Sequence, residues 1–448
     1  MTLPEIESVI RDYGPKARAE WNRLARFDAY VAGDHDKPRF EDNEEERRYR
    51  RLWESSTINL IGLTVSAYSQ RLAVDGYRTD QADQQPASTP WTIWRHSGMD
   101  AAQSRLYAAT FTHGYAYLYV GASDDDPGAA LKVVTARQVY AHFDDPDDDW
   151  PAWVLKVKGD VWTIWDDEFE HTVPVDRIGS VVRLRVQSVP HGTGRCPFSR
   201  VEDDWGPIRA HGLVAPLIRL NDQVNRLTFV LNLIGEHSSF QLRYLIGAKP
   251  GVNPETGQAV EPRVGPNRFL MIENAQGKIG ALDPTDPTGL RNYRTDLIND
   301  LCSVAQVPQH TITGRLANLS AESLLAAESS FAYRLNSATR SFGVGIDRAL
   351  RLGAAIAGDP GSAADRAARV WWQPVQAVNL AAAVDAWSKA VQSLEVPAEA
   401  TWTRIPGVTR QDAEEWHRMR EEERETDPVT QLNRLMNRGE VTGEDPAA

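Results

Sequence analysis

Leu217, Leu220, Val224, Leu227, Leu231 and Ile234 are separated by 3, 4, 3, 4 and 3 residues, and nothing else in this sequence constrains its fold as strongly. This alternation is the apolar seam of a heptad, which only an α-helix places along one side. It predicts a helix of roughly 25 residues, about 37 Å long at 1.5 Å per residue. One face must be covered by another helix, while Arg219, Asn225, Arg226 and Asn232 fall between the seam positions on the other side.

A partner follows after an excursion. Residues 241–286 are rich in turn formers and carry strand-sized runs such as RYLIG and RFLMIE, the pattern of a hairpin-like module. Asp286-Pro287 then supplies a cap residue and a proline at the first helical position, and Leu290, Tyr293, Leu297, Leu301 and Val304 give the second helix an apolar face. That helix stops at Val307-Pro308. A polar loop leads to Ser320, which can cap a long helix in which Leu324, Phe331, Leu335, Ala338, Phe342 and Ile346 share one face. Gly343 and Gly345 mark an expected bend. At about 57 Å if continuous, it is too long for the core of a small domain.

Upstream, residues 1–75 read as helical, with Leu24, Phe27 and Val31 on one face and Leu60, Leu63, Ala67 and Leu72 on another. The charged block at 41–54 reads as a solvated helix face with internal ion pairs. After the polar linker QADQQPASTP and a further helical stretch, the period changes to two in YAYLYV, LKVVTARQVYAHF, AWVLKVKG, VWTIWDD and VVRLRVQSVP. These runs predict one antiparallel sheet region of about ninety residues. Residues 358–448 read as a linker, an apolar turn VWWQP, helices near 376–394 and 409–424, and a polar tail. The fold class is therefore α+β.

Several chemistries are missing. No G-x-x-x-x-G-K-[ST], G-x-G-x-x-G, H-E-x-x-H or G-x-S-x-G occurs, so neither nucleotide hydrolysis nor a nucleophile elbow is supported. The run DDPDDD at 144–149 lacks the glycine and glutamate of a calcium loop and reads as a solvated tip; a metal-dependent hydrolase or nuclease built on it is the alternative from another class. No catalytic residue, cofactor or metal site is expected. The 14 tryptophans, among them Trp153, Trp162, Trp165 and the pair Trp371 and Trp372, fit core packing better than base stacking. Cys196 and Cys302 support neither a disulfide framework nor a zinc site, and no signal peptide or membrane span is evident, so a soluble, non-secreted protein is expected.

The order of segments, together with INLIGLTVSAYSQRLAVDGYR, FTHGYAYLYVG, PLIRLNDQVNRL and the block VPQHTITG to NLSAESLLAAESSFAYRLNSATRSFG, resembles the siphophage-type portal proteins of tailed bacteriophages across about residues 50–425. The resemblance implies a wing formed by 1–207 and the long helix 320–357. It makes 208–240 and 287–305 the two stem helices, 241–286 a small α/β clip, 306–319 a tunnel loop and 358–448 a short helical crown. It implies a ring of twelve subunits at one capsid vertex, through which double-stranded DNA is packaged and ejected. The terminase large subunit and head-to-tail adaptor would dock on it, and the major capsid protein and scaffold would surround it. The site would be the virion's portal vertex, with assembly in the host cytoplasm and no membrane. A head-assembly protein without a channel is the remaining alternative.

Laid on this chain, the resemblance points Gln309, His310, Thr311, Arg315 and Asn318 toward DNA, with Arg219 and Arg226 facing DNA or a neighbouring subunit's acids. Leu217, Leu220, Val224, Leu227, Leu231, Leu297 and Leu301 would pack the stem. Arg243, Tyr244, Arg268 and Phe269 would form the clip interface. The net charge of -13, from 49 Lys+Arg against 62 Asp+Glu, argues against affinity for nucleic acid. It does not argue against contact. The segment 411–448 holds eleven acids against five arginines, whereas 287–350 holds five acids against six arginines, so the loop lies in a nearly neutral stretch.

Overall fold

The computed structural model describes residues 1–39, 44–78, 88–175, 186–204, 212–238, 243–246, 278–281, 286–314, 321–375, 380–402, 405, 408 and 410–426. Helices α1 (Leu3–Ala32), α2 (Glu44–Ser56) and α3 (Leu60–Ser69) precede β1 (Val74–Arg78), α4 (Thr89–His96) and α5 (Met99–His113). Strands β2 (Tyr115–Ala122), β3 (Ala129–Thr135), β4 (Tyr140–His142), β5 (Trp153–Lys158), β6 (Val161–Trp165), β7 (Phe169–Pro174), β8 (Gln187–Pro190) and β9 (Phe198–Glu202) follow. Next come α6 (Val214–Ser238), β10 (Arg243–Ile246), β11 (Lys278–Ala281), α7 (Thr288–Ala305), α8 (Gln309–Thr313) and α9 (Ala321–Ile356). The chain then runs through α10 (Pro360–Ala364), β12 (Arg369–Trp372), α11 (Leu380–Leu394), α12 (Glu399–Trp402) and α13 (Arg410–Thr426).

Two compact units result: Met1–Trp21, Tyr68–His211 and Glu328–Ala448 form the first, and Asn22–Ala67 with Gly212–Ala327 the second. In the first unit the strands divide between two sheets rather than one. β3, β2 and β9 form a three-stranded antiparallel sheet, and β4 to β8 a five-stranded meander. The run LKVVTARQVYAHF is cut at a turn closed by Gln138 N donating to Thr135 O at 2.9 Å. Ala136 and Val139 are buried at that turn, so the apolar pattern continues through a change of sheet that period alone does not reveal.

Ile6, Val9, Ile10 and Ala17 of α1 pack with Trp153, Leu155, Trp162, Ile164 and Val173 of the meander. Gly14 lets the helix approach: a Cβ there would lie 2.6 Å from the Trp162 ring. Trp165 packs with Tyr117, Cys196 and Phe198 between strands. Trp153, Trp162 and Trp165 are thus core residues, as their pattern suggests. The segment VWWQP is not a turn, because Val370, Trp371 and Trp372 belong to β12, which pairs antiparallel with β1. Trp371 and Trp372 are half-buried rather than a buried pair. A four-residue strand completed by a distant segment has too short a period to read.

Helix α9 runs on through Gly343 and Gly345, and Phe331, Leu335, Ala338, Phe342 and Ile346 are fully buried along one side. Ser320 lies outside the described residues, as does the side chain of Leu324. Asp347, on the same helix, is buried, and its Oδ1 accepts from Val370 N at 3.0 Å. Burial pushes its carboxyl up to about 7, against the hydrogen bond from Val370 and the charges of Arg369 and Arg351. The folded state therefore binds a proton that the unfolded chain releases near pH 4, and stability falls as pH rises from there through 7. Asp347→Asn should flatten that decline and gain on the order of 2–4 kcal/mol at pH 8, measured by chemical unfolding from pH 5 to pH 8. An unchanged pH profile would refute it.

The acidic run 144–149 is exposed, and its acids bond within the turn: Asp145 N donates to Asp148 Oδ2 at 3.0 Å and Asp147 N to Asp145 Oδ1 at 2.9 Å. Asp149 pairs with Arg348. Among the described residues no group of three or more His, Cys, Asp or Glu could hold a metal ion, and no helix is long and apolar enough to cross a membrane.

Candidate nucleic-acid interface

The second unit contains α6, α7 and the segment beyond it, to which the family resemblance assigns the expected DNA-facing and stem positions. α6 begins at Val214 and α7 at Thr288, and the two helices pack together. Asp286 caps α7 from one position further out than expected, accepting from Thr288 N at 2.9 Å and Thr288 Oγ1 at 2.6 Å. The module between them opens with β10 and closes with β11, which pair antiparallel from Arg243↔Ala281 to Ile246↔Lys278. Arg243 and Tyr244 therefore lie on β10, while Arg268 and Phe269 lie outside the described residues.

The buried stripe of α6 is rotated from the heptad seam. Leu217, Ile218, Asn221, Val224 and Asn225 are buried, whereas Leu220, Leu227, Leu231 and Ile234 are half-buried. Asn225 is thus inside, not on the polar side. The reason lies in the loop before α3, whose backbone donors need acceptors. Asn225 Oδ1 accepts from Ile58 N at 2.9 Å and Asn221 Oδ1 from Leu60 N at 3.2 Å. Both amides also meet His35 Nδ1, at 2.9 and 3.3 Å, which leaves His35 Nε2 to donate to Tyr30 O at 3.2 Å. Tyr30 stacks on His35 and donates to Asp222 Oδ1 at 3.0 Å. Burial, then the Asp222 charge, pushes the Tyr30 phenol up to about 12. Burial also raises the Asp222 carboxyl, with the Tyr30 hydrogen bond opposing it.

α6 has a second helical partner that its periodicity does not announce. α2 packs on it, with Trp53 edge-on to Phe229 at 5.5 Å, Asn232 Nδ2 donating to Ser56 Oγ at 2.8 Å, and Arg48 paired with Glu236 at 2.9 Å. The charged block is therefore a helix with one packed edge. In α3, Leu60 is buried but Leu63 is 41% exposed and Leu72 lies beyond the helix end, so those four positions do not share one covered face.

On α7 the buried set is Leu297, Ile298, Leu301, Cys302 and Ala305, while Tyr293 and Val304 are exposed. Arg294 Nε reaches across to Thr228 Oγ1 of α6 at 2.8 Å, and burial lowers its pKa. Leu301→Asp should lower the thermal midpoint by about 10 °C or more, since a buried unpaired charge costs several kcal/mol. Leu227→Asp, at a half-buried site, should cost less than half as much. Equal midpoints for the two variants in a thermal melt would refute this packing.

The stretch after α7 is more ordered than a polar loop. Gln306 turns the chain with φ 52°, and Gln309–Thr313 then forms one short helix, α8, ended by Gly314 at φ 65°. Gln309 is exposed, His310 and Thr311 are half-buried, and Ile312 is buried as the apolar anchor. Arg315 and Asn318 lie outside the described residues. Arg219 and Arg226 are exposed on α6. The isolated Ile312 amid polar residues was the available signal for this turn, and one apolar residue sets no period.

Residues 15–428 match the family model described as phage portal protein, SPP1 Gp6-like. The portal protein of Mycobacterium phage D29 is 25% identical over 315 residues, 65% of this chain and 63% of that protein. The portal protein of Mycobacterium phage L5 is 24% identical over 395 residues, 81% of this chain and 78% of that one. The chain thus spans less than two thirds of the length of the D29 protein in the matched region. Among solved structures, a chain of the neck of a native gene transfer agent particle computed with C12 symmetry aligns at TM-score 0.45 and 12% identity, over 86% of this chain and 99% of that chain. A chain of the neck of an empty particle computed with C6 symmetry aligns at 0.46 and 12%, over 85% and 98%. With the family model matched from residue 15 to residue 428, the chain belongs to the SPP1 Gp6-like family of phage portal proteins.

Proposed function

We propose that this chain is the subunit of a ring-shaped portal at one capsid vertex, a non-enzymatic channel through which double-stranded DNA is packaged and later ejected. Family membership over most of the chain carries the reading. In this reading 1–207 and 320–357 form the wing, 208–240 and 287–305 the stem, 241–286 the clip, 306–319 the tunnel loop and 358–448 the crown. Its partners are eleven further copies of itself, the terminase large subunit, the head-to-tail adaptor, and the major capsid protein with scaffold. It works in the virion after assembly in the host cytoplasm.

Physical features of the stem support it. Leu227, Leu231, Ile234, Tyr293 and Val304 leave apolar surface partly uncovered on α6 and α7 in the single chain, as a protomer meant to be flanked by neighbours would. A ring of chains each carrying -13 would bind DNA weakly overall. Weak contact suits passage, because every neutralised phosphate adds affinity and would slow sliding. Gln309, His310, Thr311, Arg315 and Asn318 then supply short-lived polar contacts, with Arg219 and Arg226 on the stem. The hydrolase alternative has no support, since the acidic run is an exposed turn with Asp149 held by Arg348.

Replacing 309–315 by Gly/Ser while keeping Ile312 should preserve ring assembly and lower the amount of packaged DNA at least several-fold. Ring shape is read by negative-stain imaging and DNA by nuclease-protected content. Full-length packaged DNA at normal particle yield would sink the loop assignment; particles without a central hole would sink the channel.

A further inference from the structure

Six arginines gather around one cavity of about 1050 Å³ in the first unit of this acidic chain. Arg340, Arg348 and Arg351 come from α9, Arg195 from the turn before β9, and Arg366 and Arg369 from the stretch between α10 and the end of β12. The acids lining the same cavity are Asp149 and Asp347. Asp149 is held by Arg348. Asp347 is pushed up to about 7 by burial and so compensates little positive charge below that pH.

Arg351, Arg369 and Arg195 make contacts that leave their charge in place. Arg351 Nε donates to the backbone O of Asp347 at 3.4 Å, and Arg369 Nη1 to the backbone O of Arg366 and Ala368, each at 2.8 Å. Arg195 lies over the Trp150 ring at 5.2 Å. Gathering like charges is unfavourable, and the pKa of Arg348 is lowered chiefly by burial, with the charges of Asp149 and Glu202 opposing and those of Arg351 and Arg200 adding to it. On a chain of net charge -13 such a cluster is the reverse of what composition leads one to expect.

We propose that this cavity is a binding site for phosphate-class polyanions, held chiefly by Arg340, Arg351, Arg366 and Arg369. Forked guanidinium donors match the several acceptor oxygens of a phosphate and can share them. Arginines brought from three separate segments around one concavity suit adjacent phosphates, which offer several acceptor oxygens within a small volume. The phosphates could belong to a nucleic-acid backbone or to a soluble polyphosphate. The site lies within one unit and does not depend on the channel reading: a failed loop replacement leaves it standing.

The test uses the full-length protein and the double variant Arg340→Gln/Arg366→Gln, whose side chains are exposed and outside the core. Sodium tripolyphosphate is titrated by calorimetry in one arm, and a labelled 20-base-pair duplex is followed by anisotropy in the other. The wild type should bind at least one of them, and the double variant at least 10-fold more weakly, with an unchanged melting midpoint without anion. For the duplex, the slope of log K against log salt should fall by about 2. Loss confined to the duplex arm assigns the site to nucleic acid, and loss confined to the tripolyphosphate arm assigns it to free polyphosphate. No binding by the wild type in either arm, or equal binding by the variant in both, overturns the proposal. So does a variant that alters sedimentation while leaving anion binding intact, which would make the cavity a contact for an acidic face of another copy.

Discussion

Arg334→Ala is expected to destabilise the protein by about 3–5 kcal/mol, the typical penalty for removing one partner of a buried ion pair. Arg334 on α9 pairs with Asp203, just beyond β9, and their side chains are 1% and 0% exposed. Asp203 N in turn donates to Gly114 O at 2.7 Å, which ties this carboxylate to the turn between α5 and β2. The guanidinium also lies 5.8 Å from the Tyr68 ring and 5.9 Å from that of Phe111, and both rings are buried. Truncation strands the Asp203 charge in this surround and opens a cavity beneath two aromatic rings. The double variant Arg334→Met/Asp203→Leu removes both charges and should recover most of the loss. Chemical unfolding of the three proteins decides the matter: a single variant within 1 kcal/mol of wild type, or a double variant worse than the single, would show that the pair does not act as described.

The second large effect separates two glycines two residues apart on α9. Alanine in a helix interior is worth about 1 kcal/mol over glycine, so propensity alone makes both Gly343→Ala and Gly345→Ala stabilising. Packing reverses the sign at one of them. A Cβ on Gly345 would lie 2.3 Å from the backbone O of Arg200 and 2.9 Å from Val201 Cα, groups fixed in β9 that cannot rotate away. Ser199 Oγ also donates to Gly345 O at 2.7 Å, so helix and strand are fastened where they touch. A Cβ on Gly343 would meet only Trp372 Nε1 at 3.7 Å, an ordinary contact. Gly345→Ala should therefore cost about 2–3 kcal/mol and Gly343→Ala should gain about 0.5–1 kcal/mol. Equal midpoints for the two variants would show that α9 does not rest on β9 as closely as the backbone indicates.

These two sites also show what was legible beforehand. The sequence marks the helix, its buried face and the presence of two glycines, and suggests a bend. It does not show that β9 lies against Gly345, because the contact joins segments far apart in the chain. Arg334 reads as one more charged residue in a helix that tolerates them, and only the burial of both partners makes it important. At the stem, the heptad seam announces α6 and its need for a partner, and α7 meets that need. The seam misplaces the centre of the buried face by about one position, because Asn221 and Asn225 are drawn inward to accept from Ile58 N and Leu60 N. A polar residue at the core edge is invisible to a hydrophobic pattern when its hydrogen-bond partners lie elsewhere in the sequence.

By itself, the sequence determined the long helices and most of the strands, the pairing of two helices around an intervening module, the absence of known nucleotide-binding and catalytic motifs, and a family pattern diffuse along the chain. Local periodicity and cap chemistry act over a few residues and can be read there. Tertiary structure alone decided how the strands divide between two sheets, that VWWQP closes a strand pair with β1, that α2 is a second partner of α6, and that six arginines of an acidic chain meet around one cavity. Each of these joins residues remote in sequence, where neither spacing nor composition records which side chains share a surface.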